Sequence, residues 1–164
     1  MQKNAAHDRW WQTSEAVFGI PFLASIVLQL LVPLRTPRGS LTAVFVTLGV
    51  VISIGGVILV ILSRAEFARH GQRTDPGQPT TDIVSTGVFS FSRNPLYLGV
   101  AGFLIGIALA LNLLWELLLL LPSLVACHYI LIAPEERYLA AKFGEEYRRY
   151  AASVRRWLGR SRQK

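Results

Sequence analysis

The sequence predicts an all-α polytopic membrane protein, with four transmembrane helices in two hairpins followed by a cytoplasmic C-terminal amphipathic helix. Three observations carry that prediction. Of 164 residues, 52% are hydrophobic. Four apolar runs, at about 15–33, 41–62, 95–111 and 113–132, match the length that crosses a bilayer core, for which an α-helix needs about 20 apolar residues. All but two of the 17 lysines and arginines fall on one side of those runs. The length fits a single membrane domain over 1–164. A soluble helical core would need amphipathic partners to cover these runs, and only the C-terminal segment is amphipathic.

The stretch before Glu15 is polar and carries Trp10 and Trp11, which read as membrane-interface anchors. It shows no small-residue cleavage pattern, so a cleaved signal peptide is not expected. The first two runs are joined by "PLRTPRGS", a short turn that predicts an antiparallel hairpin. The third and fourth meet at "ALNLLWE", where Asn112 is the break, and form the second hairpin. Within the third run Gly99, Gly102, Gly106 and Ala110 recur at helical spacing. Such small-residue spacing lets backbones approach closely, and packing within the chain is expected over homodimerisation.

The loop 63–94 has "HGQRTDPGQPTTD" at its centre and then resumes with "TTDIVSTGVFSFSRNP". Loops of this length are functional or disordered. The β-branched and aromatic residues favour a functional segment packed near the bilayer surface. After the fourth run, 134–158 reads as an amphipathic helix: Leu139, Phe143, Tyr147, Tyr150, Val154 and Trp157 share one face, with a break expected near Gly144. It serves either as a surface anchor or as a lid over the bundle mouth.

The positive-inside rule places both termini and the 63–94 loop in the cytoplasm, because Lys3, Arg9, Arg64, Arg69, Arg73, Arg93 and the basic residues from Arg137 onward share one side. Arg35 and Arg38 lie opposite. Juxtamembrane basic residues meeting anionic lipid headgroups account for the formal charge of +7, so no nucleic-acid partner is expected. The single cysteine, Cys127, excludes a disulfide framework and a cysteine-based metal site, and no metal is expected. Glu116, near the outer end of the fourth run, reads as a snorkelling side chain.

Two polar clusters flank the third and fourth runs on the cytoplasmic side. In "SRNPLYLG", Pro95 suits the first turn of a helix, and the free N–H groups there, with Arg93, favour a carboxylate or phosphate. Glu135 and Glu136 offer acceptors for an ammonium or ribose hydroxyls at a helix end where negative charge is disfavoured. Arg137 or another arginine is expected to offset that cost. An anion site facing an acidic pair suits a zwitterion with an amino-acid moiety.

"GVFSFSRNPLYLG", the apolar hairpin and then "PEERYLAAKFGEEYRRY" resemble the isoprenylcysteine carboxyl methyltransferase family and its relatives, the phospholipid N-methyltransferases. The resemblance covers roughly 81–154. It implies an integral membrane enzyme that binds S-adenosyl-L-methionine in a cytoplasm-facing pocket and methylates a lipophilic small molecule or lipid reached through the membrane. It places Asn94, Pro95, Leu96 and Tyr97 in the family's Arg-His-Pro-x-Tyr motif, and Glu135 and Glu136 in its paired-glutamate motif, both cofactor contacts. Arg93 adjoins the first motif, and Thr81, Val84 and Phe89 match the segment leading into it that lines the same pocket. Asn94 replaces the motif's histidine, keeping a hydrogen-bonding side chain without a titratable one. Leu131 stands where the prenylcysteine enzymes carry an arginine, which argues against a prenylcysteine carboxylate as substrate.

Methyl transfer from a sulfonium chiefly requires alignment and exclusion of water. A carboxylate acceptor needs no base, whereas an amine, phenol or thiol does. His128 and Glu136 are the candidate catalytic groups. His128 precedes Glu135 by seven residues, which puts it on the same α-helical face about two turns deeper. An alternative reading of His128 is a hydrogen bond to a neighbouring helix. Two other functions compete: an NADPH-dependent membrane sterol or enone reductase, and a non-catalytic membrane protein that retains the pocket.

Overall fold

The computed structural model describes residues 13–72 and 80–161. Lys3, Arg9, Trp10, Trp11, Arg73 and the centre of the long loop lie outside the described residues. Among the described residues the chain is helical, with one isolated antiparallel bridge between Val154 and Arg160.

A π-helical turn, Glu15–Gly19, leads into α1 (Ile20–Leu31), and a 3-10 turn, Gly39–Leu41, leads into α2 (Thr42–Arg69). α2 continues past the apolar run to Arg69, because "SRAEFAR" contains no helix breaker. It ends where Gly71 takes φ +63, a left-handed conformation that glycine adopts at no steric cost. α3 (Pro95–Leu111) starts at its proline and stops at Asn112, which adopts the left-handed conformation. α4 (Leu114–Ala126) holds Pro122 in its interior and passes into a π-helical segment, Cys127–Ile132, before α5 (Ala133–Phe143). Gly144 at φ +55 separates α5 from α6 (Glu145–Ser153).

Two continuous helical stretches, Gly39–Arg69 and Leu114–Phe143, are long and apolar enough to cross a membrane, and the helices over Glu15–Leu31 and Pro95–Leu111 are apolar but shorter. Large apolar side chains such as Val51, Ile54, Ile58 and Ile61 on α2 and Leu121 and Val125 on α4 stand exposed. A surface of that character is suited to lipid.

The order of packing differs from two sequential hairpins. α2 packs along α3, α3 along α4, and α1 against α4 rather than against α2. Glycines decide the choice. A Cβ placed on Gly56 would lie 2.5 Å from the Phe103 nitrogen and 2.6 Å from the Gly99 oxygen, and one on Gly49 would lie 2.5 Å from the Ala110 nitrogen. Backbone thus lies against backbone along Gly49, Ser53 and Gly56 on α2 and Gly99, Gly106 and Ala110 on α3. The Ser53 hydroxyl donates to the Phe103 carbonyl at 3.3 Å. The small-residue stripe therefore serves packing within the chain. The connection 32–38 steps across to the α3–α4 turn, which its extended reach of up to about 25 Å permits. It is held there by Asn112, whose amide donates to the Thr36 carbonyl and accepts from the Thr36 hydroxyl, and by the Trp115 indole on the Val32 carbonyl.

Glu116 does not snorkel. It is 1% exposed and hydrogen-bonds Ser25 of α1, with Gln29 buried one turn farther along the same face. Placing α1 on α4 supplies these polar neighbours and encloses the carboxyl. The apolar core gathers Val17, Phe18, Leu104, Leu120, Cys127, Leu131 and Ile132, with Tyr97 and Trp157 packed on it.

The C-terminal helix stops at Ser153 instead of continuing to 158. From Val154 the chain makes a tight turn closed by the Arg155 N–H on the Gly159 carbonyl at 2.8 Å. Gly159 at φ +98 permits the turn. Two bonds fasten it beside the start of α3: Gly159 N–H to Phe91 O at 2.7 Å and Arg93 N–H to Arg155 O at 3.1 Å. Trp157 then reaches the core from that turn rather than from a helix face.

Candidate functional site

The polar clusters predicted at the two ends of the 95–132 hairpin meet beneath the C-terminal turn. Arg93 immediately precedes α3, Tyr97 lies in its first turn, and Glu135 and Glu136 lie in the first turn of α5. The Tyr97 hydroxyl donates to the Glu135 carboxylate, joining α3 to α5 directly.

Glu136 takes two arginines. Arg156 grips it in a bidentate fork, Nε to Oε1 at 2.9 Å and Nη2 to Oε2 at 2.7 Å, and Arg93 Nη1 lies 3.1 Å from Oε1. Forked pairing of this kind is short and directional. The carboxylate holds the Arg156 guanidinium protonated above its usual range, chiefly through the hydrogen bonds it accepts. The cation expected to offset the glutamate charge is thus Arg156 with Arg93, while Arg137 is exposed. One carboxylate between two guanidinium groups leaves one surplus positive charge.

Tyr147 of α6 accepts from Arg93 Nη1 at 3.4 Å. Burial, reinforced by the Glu136 charge, pushes its phenol upward and keeps it a neutral hydroxyl. Among the described residues the Arg93 Nε is buried without a partner, an orphaned donor inside the cluster. Such a group is costly unless something accepts from it.

Asn94 occupies the N-cap position of α3 but does not cap with its side chain. Its amide instead donates to the Arg156 carbonyl at 3.0 Å, and its backbone N–H is satisfied by the Ser92 hydroxyl at 3.1 Å. Pro95 is fully buried and Leu96 half-buried. Asn94 therefore fixes the turn that delivers Arg156 to Glu136.

The segment leading into the first motif splits into two parts. Val84 and Phe89 are buried, Phe89 packing on Phe67 at 4.8 Å between ring centres and accepting at its carbonyl from the Tyr150 hydroxyl at 2.9 Å. Thr81 is exposed and tied to Gln72, whose side-chain amide donates to the Thr81 hydroxyl at 3.0 Å while its oxygen accepts from the Thr81 N–H at 3.2 Å. Thr81 makes no hydrogen bond to the Arg93–Glu136 cluster among the described residues.

His128 lies in the π-helical segment. Each residue of an α-helix advances about 100°, and a π turn holds an extra residue, so the seven-residue spacing no longer keeps His128 on the Glu135 face. Its ring meets Tyr129 edge-on at 4.8 Å, and among the described residues it makes no hydrogen bond or ion pair to Tyr97, Glu135 or Glu136. Leu131 is 1% exposed and belongs to the apolar core.

Sequence reasoning missed Arg156 and the framework carboxylate Glu66. Glu66, on α2, is 6% exposed, accepts from the Thr86 hydroxyl and pairs with Arg69 at 3.2 Å, which fastens the loop to α2. Arg156 carried no motif signal: it lies twenty positions beyond Glu136 in an irregular turn.

The family model described as phospholipid methyltransferase matches residues 44–146, which include both polar clusters and end before Arg156. A stretch of 27 residues is 70% identical to an uncharacterized protein of Haemophilus influenzae, covering 16% of this chain and 43% of that protein. The match thus spans less than half the length of that relative. No solved structure matches the chain.

Proposed function

The chain belongs to the phospholipid methyltransferase family, and on that premise we propose that it transfers a methyl group from S-adenosyl-L-methionine to a lipophilic acceptor dissolved in the membrane. The reading includes four membrane-crossing helices, with the cofactor site and both termini on the cytoplasmic side. Segregation of basic residues supports that sidedness.

The observation that carries the reading is the pairing of opposite charge environments at one mouth. The Arg93–Glu136–Arg156 cluster has a surplus positive charge and an unpartnered buried Arg93 Nε. Glu135, held by Tyr97, lies on the adjacent position of the same helix turn. A cofactor ending in an α-amino carboxylate fits both: its carboxylate takes the guanidinium side and its ammonium the Glu135 side. Asn94 and Pro95 set the register of this mouth, Leu96 with buried Val84 and Phe89 forms its apolar wall, and Thr81 positions the loop through Gln72.

When bound, S-adenosyl-L-methionine supplies an electrophilic methyl carbon on a sulfonium. The residues of the chain bind, align and exclude water. Trp157 and the C-terminal turn cover the mouth, which favours the lid reading of that segment. An amine, phenol or thiol acceptor must lose a proton; Glu136 accepts from Arg93 and Arg156 and Glu135 is given to the cofactor's ammonium, so neither carboxylate is a free base in this arrangement. His128, beside exposed Tyr129, is then assigned to the lipid-facing approach of the acceptor.

Purified full-length protein incubated with methyl-labelled S-adenosyl-L-methionine and extracted membrane lipids tests this function. Label is expected in the organic phase and is expected to fall at least tenfold with Glu135→Gln. Absence of transfer to carboxylate, amine, phenol and thiol lipids by a folded protein overturns it.

A further inference from the structure

A second polar cluster lies at the opposite end of the bundle from the Tyr97–Glu135 pair. Glu116 is in the first turn of α4 and Glu135 at the start of α5, on one continuous helical stretch, Leu114–Phe143. About 28 Å of helix separates them at 1.5 Å per residue. The residues that α1 buries are Ser25 and Gln29, and those that α4 buries are Glu116, Leu120 and Ser123. The seam between two apolar helices is therefore polar. Such groups are costly in hydrocarbon unless they are satisfied, and ionisable ones at membrane depth mark functional positions.

Ser123 is satisfied, its hydroxyl donating to the Leu119 carbonyl at 2.8 Å. The rest of the seam is not. The Ser25 hydroxyl spends its proton on the Phe22 carbonyl at 2.7 Å, so it turns a lone pair toward Glu116, which lies within its hydrogen-bonding reach. Among the described residues the Glu116 Oε2 and both polar atoms of the Gln29 amide are buried without a partner. Gln29 is bracketed on α1 by two contacts with the start of α4. Beyond it the Val32 carbonyl accepts from the Trp115 indole at 2.8 Å, and before it Ser25 meets Glu116. Its buried amide therefore lies on the stretch of α1 that passes the Trp115–Glu116 turn.

Among the described residues no cation of the chain pairs with this carboxyl. α1 carries no titratable side chain, Glu116 is the one that α4 carries, and α3 carries Tyr97 at its far end, which Glu15 of the first turn faces. Of the arginines in the connection 32–38, Arg35 is exposed and Arg38 stacks over the Phe45 ring at 5.0 Å. Three acceptor oxygens thus meet with no positive group of the chain among them. A proton on Glu116 ties it to Ser25 and leaves Gln29 idle. A hard cation takes all three oxygens, and a water in its shell accepts from the Gln29 nitrogen. One carboxylate balances one positive charge, which selects a monovalent ion. The first turn of α4 lies beside the α3–α4 connection, so the path from water is short.

We propose that Glu116, Gln29 and Ser25 hold a monovalent alkali cation between α1 and α4. The assignment concerns binding and is independent of methyl transfer. Full-length protein in a maltoside detergent, kept in choline chloride at constant ionic strength and titrated with Na+, tests it through two readouts, retention of radiolabelled Na+ and the melting temperature. Saturable retention is expected, with a melting temperature that rises over the same Na+ range, as linkage requires. Glu116→Gln is expected to abolish both effects, and Ser25→Ala to weaken retention several-fold. Removing the amide is stabilising only while no ion uses it. Gln29→Leu is therefore expected to melt above the parent in choline and to lose that advantage as Na+ is added. Glu116→Gln keeps the size of the side chain, and its circular dichroism in choline, expected to match the parent's, shows that lost retention is not lost folding. No saturable retention by the folded parent, equal affinity in Glu116→Gln, a melting temperature that answers to pH and not to Na+, or Ca2+ bound more tightly than Na+ overturns the proposal.

Discussion

Gly55 and Gly56 are adjacent on α2, yet the structure assigns opposite effects to the same substitution. A Cβ at Gly55 meets nothing within 4 Å, whereas at Gly56 it lies 2.5 Å from the Phe103 nitrogen, 2.6 Å from the Gly99 oxygen and 3.0 Å from the Phe103 Cα. All three opposing atoms are backbone, so no rotamer change relieves the overlap. Restoring ordinary contact near 3.5 Å requires α2 and α3 to separate by about 0.9 Å, a gap that forfeits a quarter to a half of each facing dispersion contact. Overpacking of this kind costs about 1–3 kcal/mol, against a helix-propensity gain of up to about 1 kcal/mol for replacing glycine with alanine. Gly56→Ala is therefore expected to lose about 1–2 kcal/mol, and Gly55→Ala to gain up to about 1 kcal/mol. Thermal unfolding of the two detergent-purified variants, followed by circular dichroism, reads the difference. Melting temperatures that shift equally, or a Gly56→Ala protein more stable than the parent, would refute the backbone-to-backbone packing of α2 on α3.

Other perturbations read other parts of the structure. Glu136→Ala leaves Arg93 and Arg156 facing each other without their shared carboxylate; allowing for the partial exposure of Arg156, a loss of about 2 kcal/mol is expected in the same melt. Gln29→Leu removes a buried amide whose oxygen and nitrogen both lack partners among the described residues, so stability should rise by about 1 kcal/mol; a clear drop would show that the amide is satisfied in the membrane. Tyr150→Phe deletes the hydroxyl that anchors the Phe89 carbonyl and should cost about 1 kcal/mol while increasing hydrogen exchange in the 3-10 turn.

What was legible in the sequence depended on local signals. Pro95 and Asn112 marked both ends of α3, because a proline suits a first helical turn and asparagine tolerates the left-handed conformation. Helix pairing was less accessible. Every apolar run offers an equivalent surface, and the pairing of α2 with α3 rests on glycines fifty residues apart in sequence that only meet in space. Glu116 looked exposed because its neighbour Ser25 belongs to a helix that the loop length seemed to assign elsewhere. In the candidate site, the glutamate pair and the Arg93–Tyr97 cluster stood out as polar groups beside apolar helices. Arg156 did not, since one arginine in a basic tail resembles the others until a turn closed by Gly159 brings it to Glu136. The face shared by His128 and Glu135 assumed a regular α-helix, and the π-helical segment between them changes that phase.

The most direct test of the central claim is calorimetric titration of the full-length protein with S-adenosylhomocysteine, in the parent and in Tyr97→Phe, Glu135→Gln and Gly55→Ala. Saturable binding is predicted for the parent and for Gly55→Ala, weakened about tenfold by loss of the Tyr97 hydroxyl and at least as much by Glu135→Gln, because both variants remove the partner that holds the acidic side of the mouth. Absence of binding by the folded parent, or one affinity shared by all four proteins, would contradict the site.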